Sequence, residues 1–185
     1  RKPASRCGYW GPMAQTGEFA KETLFLGVLA SSESLLGEAL SALAGLYGPI
    51  DERSEVKPFT FTDYYNEEMG GIPLRSYYTF KEPVDPSRLA EIKVATNNLE
   101  RRFSVEGKRR INLDPGLFTL SNLVLATTKN RSHRIALRSG IYAELTLIYH
   151  DHSYRALPWT YADYKSRETI MLLNSWRSAL KQSRN

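Results

Sequence analysis

The feature that most constrains this chain is an unbroken apolar run, Leu24-Phe25-Leu26-Gly27-Val28-Leu29. A strand with one wet face alternates apolar and polar residues, so an uninterrupted run reads as a strand buried on both faces. Ser31 and Ser32 follow as N-cap residues, with Glu33 in the first turn of a helix. Leu35, Leu36, Ala39, Leu40, Leu43 and Ala44 then share one helical face, and Gly45, Gly48 and Pro49 end it.

The next segments alternate. Val56 to Thr62 puts Lys57, Phe59 and Phe61 on one side, and Leu74 to Phe80 puts Leu74, Ser76, Tyr78 and Phe80 on one face. Between them, Asp63 to Pro73 is too long for a tight hairpin, and long loops in compact domains are often functional. Asp85-Pro86 opens a second helix, with Leu89, Ile92, Leu99 and Phe103 on its buried side and Gly107 as its stop. Arg110 to Leu113 reads as the next strand. The order so far is β-α-β-β-α-β, the ferredoxin-like arrangement.

Asp114 is expected to cap a short helix, with Pro115 at its first position and Leu120, Leu123, Val124 and Thr127 inward. A β-hairpin follows, with a loop of Ser139-Gly140 or Arg138-Ser139-Gly140. The longer loop, with Gly140 left-handed, opposes Ile135 to Ala143 and Arg134 to Glu144, so it is preferred. It also puts His133 on an apolar side opposite Leu145. Tyr154 to Leu157 is a further strand, and Ile170, Leu172, Leu173, Trp176, Ala179 and Leu180 stripe a C-terminal helix. The expected class is α+β with a mostly antiparallel sheet.

Residues 1–22 are Gly/Pro-rich and aperiodic and read as a disordered N-terminal segment, leaving a single α+β domain at 23–182. Met13-Ala14 reads as a natural start, with the first twelve residues upstream of it. The net charge of +5 is mild and partly lies in that segment, with Arg1, Lys2, Arg6 and Lys21 against Glu18 and Glu22. A specific nucleic-acid binder carries a denser basic stripe. The single cysteine, Cys7, excludes an internal disulfide and a multi-cysteine metal site. No apolar run approaches a membrane span, and the cytoplasm is the default compartment.

The chemistry concentrates between Gly107 and Thr146. Asp114, His133 and Glu144 are the catalytic candidates, as carboxylates and a neutral-pH proton shuttle. Lys129 and Arg134 are candidate anion ligands, and Asp63, Tyr64, Tyr65 and Glu68 of the long loop are candidate ligand-binding residues. Each has a plainer reading: Asp114 as a cap, His133 as a packed histidine, Arg134 and Glu144 as a structural pair, Lys129 as a cation at a helix end. His150-Asp151-His152 fits a hairpin tip as well as a metal fragment. With three histidines and no HExxH, no metal site is assigned.

DYYNEEMG (Asp63 to Gly70), NLDPG (Asn112 to Gly116), LATTK (Leu125 to Lys129), HRIAL, GIYAELTL and WTYADY resemble, in this order, motifs of a family of uncharacterised prokaryotic proteins, the four-four-one-six family of unknown function. The resemblance runs from about Lys21 to the last helix and implies no established activity. Some members carry a GTP-binding label, but this chain has no GxxxxGKS or GxxxxGKT loop to cradle phosphates.

Three functions remain open at this level. The first is one polar pocket for a small anionic ligand, a nucleotide or phosphorylated metabolite, with enzyme activity undecided and no cofactor indicated. The second is a non-catalytic RNA-binding module that stacks bases on Tyr64, Tyr65, Tyr77 and Tyr78. The third is a structural or adaptor protein.

Overall fold

The computed structural model describes residues 16–184. Its centre is β1 (Thr23–Ala30), the apolar run, with every residue after Thr23 buried. It pairs antiparallel with β4 (Leu74–Phe80) on one side and β5 (Ile111–Phe118) on the other. Among the described residues the sheet has nine strands. Its main path runs β2 (Ile50–Arg53), β4, β1, β5, β6 (Asn122–Thr127), β8 (Tyr142–His150), β7 (Ile135–Ala136). β3 (Lys57–Pro58) adds to β4 and β9 (Ser153–Ala156) to β8, and every pairing is antiparallel.

Both faces of β1 are covered. Leu24, Leu26 and Val28 join the core formed with α1 (Glu33–Tyr47) and α3 (Leu89–Phe103). Phe25 joins a second core with Leu173 and Trp176 of α4 (Arg167–Ser183). Ser32 caps α1 by accepting the Leu35 N–H at 3.3 Å. Asp85 caps a short 3-10 turn, Pro86–Arg88, that leads into α3. Among the described residues no helix is long and apolar enough to cross a membrane.

The hairpin has the three-residue register: Ile135 opposes Ala143 and Gly140 is left-handed at φ +71°. Other expectations are corrected. Asp114 caps no helix. β5 runs straight through Asp114-Pro115-Gly116, because β1 pairs with it along its whole length, Gly27 opposite Asp114. The segment expected as a short helix is β6, a strand between β5 and β8. A short apolar run does not distinguish strand from buried helix. The Val56–Thr62 strand shrinks to Lys57–Pro58, since Pro58 has no N–H to continue a ladder. The strand after α1 is instead Ile50–Arg53, too short and polar to show a pattern.

Residues 1–15 of the N-terminal segment expected to be disordered lie outside the described residues. Glu22 already pairs with Val84, each backbone N–H donating to the other's carbonyl at 2.8 Å.

Candidate functional site

The sheet forks beside β5. β1 follows β5 from end to end, but β6 pairs only Leu123, Val124 and Leu125 with Phe118, Leu117 and Gly116, then continues with β8. Gly116 sits at the crotch. A Cβ there would collide with the Val124 carbonyl, so the close approach of the two backbones requires glycine. Beyond it, Leu113 has no strand partner on that side. α3 supplies the missing bonds: the Leu113 N–H donates to the Glu100 carboxylate at 2.7 Å, and the Lys93 ammonium donates to the Leu113 carbonyl at 2.6 Å. Lys93 and Glu100 are seven residues apart, two helical turns, and therefore share a face. Burial pushes the Glu100 carboxyl pKa up, against the pull of Lys93.

A cavity of about 660 Å³ fills the fork. Arg75 of β4 lies at its floor, 7% exposed. Its Nη2 donates to Asp163 Oδ2 at 2.5 Å, and Nη1 is 3.7 Å from Asp114 Oδ2. Its guanidinium carbon is 4.7 Å from the Tyr77 ring centroid and 5.0 Å from that of Tyr164. Burial works against this charge, and the oxygens of Tyr164, Tyr77, Asp163 and Asp114 more than offset it, so the pKa rises further. Tyr164 reaches the floor because residue 27 is glycine; a Cβ there would collide with the Tyr164 hydroxyl. Arg75 Nε, Arg75 Nη1 and Tyr164 Oη are buried without a hydrogen-bond partner among the described residues.

The loop between β3 and β4 forms an aromatic wall. Phe59 is buried, Tyr65 packs edge-on against it and Tyr64 edge-on against Tyr65. Burial pushes the Tyr65 phenol up to about 12. The loop is tied to both prongs of the fork. On the β5 side, Arg109 Nε and Nη2 each donate to a Glu68 oxygen at 2.8 Å, a two-point pair that holds the Glu68 carboxyl below its usual pKa. On the β6 side, Lys129 Nζ stands 5.8 Å from the Tyr64 ring centroid.

The residues singled out in the sequence divide accordingly. Tyr64, Tyr65, Asp114, Lys129, Arg134 and Glu144 line the cavity. Asp63 does not; its carboxylate accepts from the Asn66 amide at 3.1 Å at the start of α2 (Asn66–Met69). Glu68 is committed to Arg109 and does not line it either. Arg134 Nε donates to Glu144 Oε2 at 2.6 Å. His133 is a packed, hydrogen-bonded histidine. Its Nε2 is 2.9 Å from the same Glu144 oxygen and its ring stacks on Trp159 at 4.6 Å, because it precedes β7 and escapes the strand alternation. It reaches the cavity only through Glu144. Tyr77 and Tyr78 are 6% and 3% exposed, packed in opposite cores, so they offer bases no platform. His150 and Asp151 pair with each other at an exposed hairpin tip, 2.9 Å apart. Among the described residues no group of three or more His, Cys, Asp or Glu is placed to hold a metal.

Four residues of the floor escape a sequence reading: Arg75, Lys93, Glu100 and Asp163. A signal existed for two of them. Lys93, Thr96 and Glu100 fall on the buried stripe of α3 below Leu89, where polar residues are out of place without partners.

The domain of unknown function DUF4416 matches residues 20–179. The chain belongs to that family. The match spans every strand and reaches into α4, so it takes in the whole fork. No curated protein and no solved structure matches the chain.

Proposed function

We propose that the fork binds a small anionic ligand, a nucleotide or phosphorylated metabolite. The observation that carries this is the floor: Arg75 and Tyr164 both line the cavity, and Arg75 Nε, Arg75 Nη1 and Tyr164 Oη are buried without a hydrogen-bond partner among the described residues. An unpaired buried donor costs about 1–3 kcal/mol, and a ligand oxygen would recover that cost. The volume suits the role, since small-molecule sites span about 300–1,000 Å³. The preference for an anion comes from the lining cations. Arg75, Lys93, Arg109 and Arg134 have carboxylate partners, while Lys129 and Arg101 have none among the described residues.

Asp114 is the carboxylate best placed for proton transfer to a ligand. It is part-exposed, and its one short contact is the Asn112 amide donating to Oδ2 at 2.8 Å. The test is a thermal-shift screen of nucleotides and sugar phosphates, in which a ligand at about 100 times its Kd adds about 2.7 kcal/mol of stability. A hit whose shift disappears in Arg101→Ala/Lys129→Ala supports the proposal, and a screen with no hit refutes it.

We also read β1-α1-β2-β4-α3-β5 as a ferredoxin-like core. Supporting this are the order β2-β4-β1-β5 and the shared core of α1 and α3 on one face. A cytoplasmic setting is in keeping with one cysteine in 185 residues.

A further inference from the structure

We infer that the ligand enters head first, burying a neutral hydrogen-bonding head group at Arg75 and Asp114 and leaving a phosphomonoester at the mouth beside Lys129. This rests on the binding role proposed for the fork, and it names the ligand class and its orientation.

The charges in the cavity are segregated by depth. The floor holds three carboxylates, Asp114, Asp163 and Glu100, against two cations, Arg75 and Lys93. With every group ionised, the carboxylates outnumber the cations by one. The part of the lining that meets solvent holds Lys129 and Arg101, both exposed and both without an ion-pair partner among the described residues. A phosphate pushed to the floor would meet carboxylates in a poorly screened setting, whereas at the mouth it meets only unpaired cations.

The floor also specifies the head group. Arg75 has two N–H donors, and Tyr164 a hydroxyl, without a hydrogen-bond partner among the described residues. Asp114 stands 3.7 Å from Arg75 Nη1 and 3.9 Å from Lys93 Nζ, beyond hydrogen-bond length from both cations, so it keeps acceptor capacity. Donor and acceptor side by side fit a group that both accepts and donates, such as hydroxyls or an amide edge of a ring. The Tyr64 and Tyr65 wall supplies flat apolar surface for the ring.

The experiment is calorimetric titration of the full chain with ribose 5-phosphate, glucose 6-phosphate and uridine monophosphate, each beside its dephosphorylated parent and inorganic phosphate. One phosphomonoester should bind at least tenfold tighter than its parent and than inorganic phosphate. Lys129→Glu should abolish that advantage, bringing the ester's affinity down to the parent's or below. Asp114→Asn should weaken the ester tenfold or more. Two outcomes overturn the inference while leaving the binding role intact: an Asp114→Asn protein that binds the ester equally or more tightly, as loss of a carboxylate beside a phosphate would produce, or inorganic phosphate binding as tightly as any ester. Should Asp114→Asn fail to fold, Lys129→Glu decides alone, since Lys129 is exposed. If no probe binds the unaltered protein, the binding role itself falls.

Discussion

Asp163 closes on Arg75 at 2.5 Å across 88 residues of chain, with both side chains more than nine-tenths buried. The contact fastens the segment before α4 to the strand beside β1, so the floor of the cavity is also a tie between distant parts of the fold. Removing one partner of a buried pair strands the other charge, at a cost of about 3–5 kcal/mol. Asp163→Ala should lose that much in urea unfolding, and Asp163→Asn, which keeps an acceptor, clearly less. Equal losses would mean that the charge is not what matters.

Gly27→Ala should destabilise by about 1–3 kcal/mol, the usual cost of overpacking. The new methyl meets the Tyr164 hydroxyl. That hydroxyl has no hydrogen-bond partner, so Tyr164→Phe should fold as stably as the parent and restore most of the loss in the double variant. Additive losses in the double variant would place the strain elsewhere.

The Glu68–Arg109 pair gives the acid limb of the stability curve a definite sign. Arg109 holds the Glu68 carboxyl below its ordinary 4.5. The contribution is therefore complete above pH 4.5 and is lost as pH falls through the lower folded value. Glu68→Gln should melt earlier than the parent at pH 7, with the gap closing as the pH falls from 4.5 through the lower folded value. A gap that persists at low pH would assign the effect to packing.

Glu100 and Lys93 act as a stand-in strand for Leu113. Hydrogen exchange should find the Leu113 amide protected in the parent and fast in Glu100→Ala, while the Leu117 amide, where β5 has strands on both sides, stays slow. Unchanged protection at Leu113 would show that the carboxylate is dispensable.

Much of the frame was legible because local signals agreed. β1 is an apolar run, α1 begins at Ser32 where capping requires it, and the hairpin register follows from Gly140 and the pairing of apolar faces. The fork was not legible. Asp-Pro-Gly carries turn chemistry, yet here Gly116 serves the close approach of Val124 and Asp114 lies in mid-strand, a need set by long-range pairing. Arg75 was missed for a related reason. In Leu-Arg-Ser-Tyr-Tyr it reads as the solvent side of an alternating strand, and only Asp163 and the rings of Tyr77 and Tyr164 make that side an interior. Tyr64, Tyr65, Lys129, Arg134 and Asp114 could be named, but the residues that hold them in one cavity could not.

The proposed binding mode turns on a ligand oxygen reaching the Arg75 guanidinium. The direct measurement follows the Arg75 Nε–H signal by ¹⁵N NMR while the best hit of the phosphomonoester screen is added; burial should slow its exchange enough for detection. A saturable downfield shift of this signal is expected, with the same Kd as calorimetry and with shifts at Asp114 and Lys129. A ligand that stabilises the protein while leaving the Arg75 signal unmoved would contradict this binding mode.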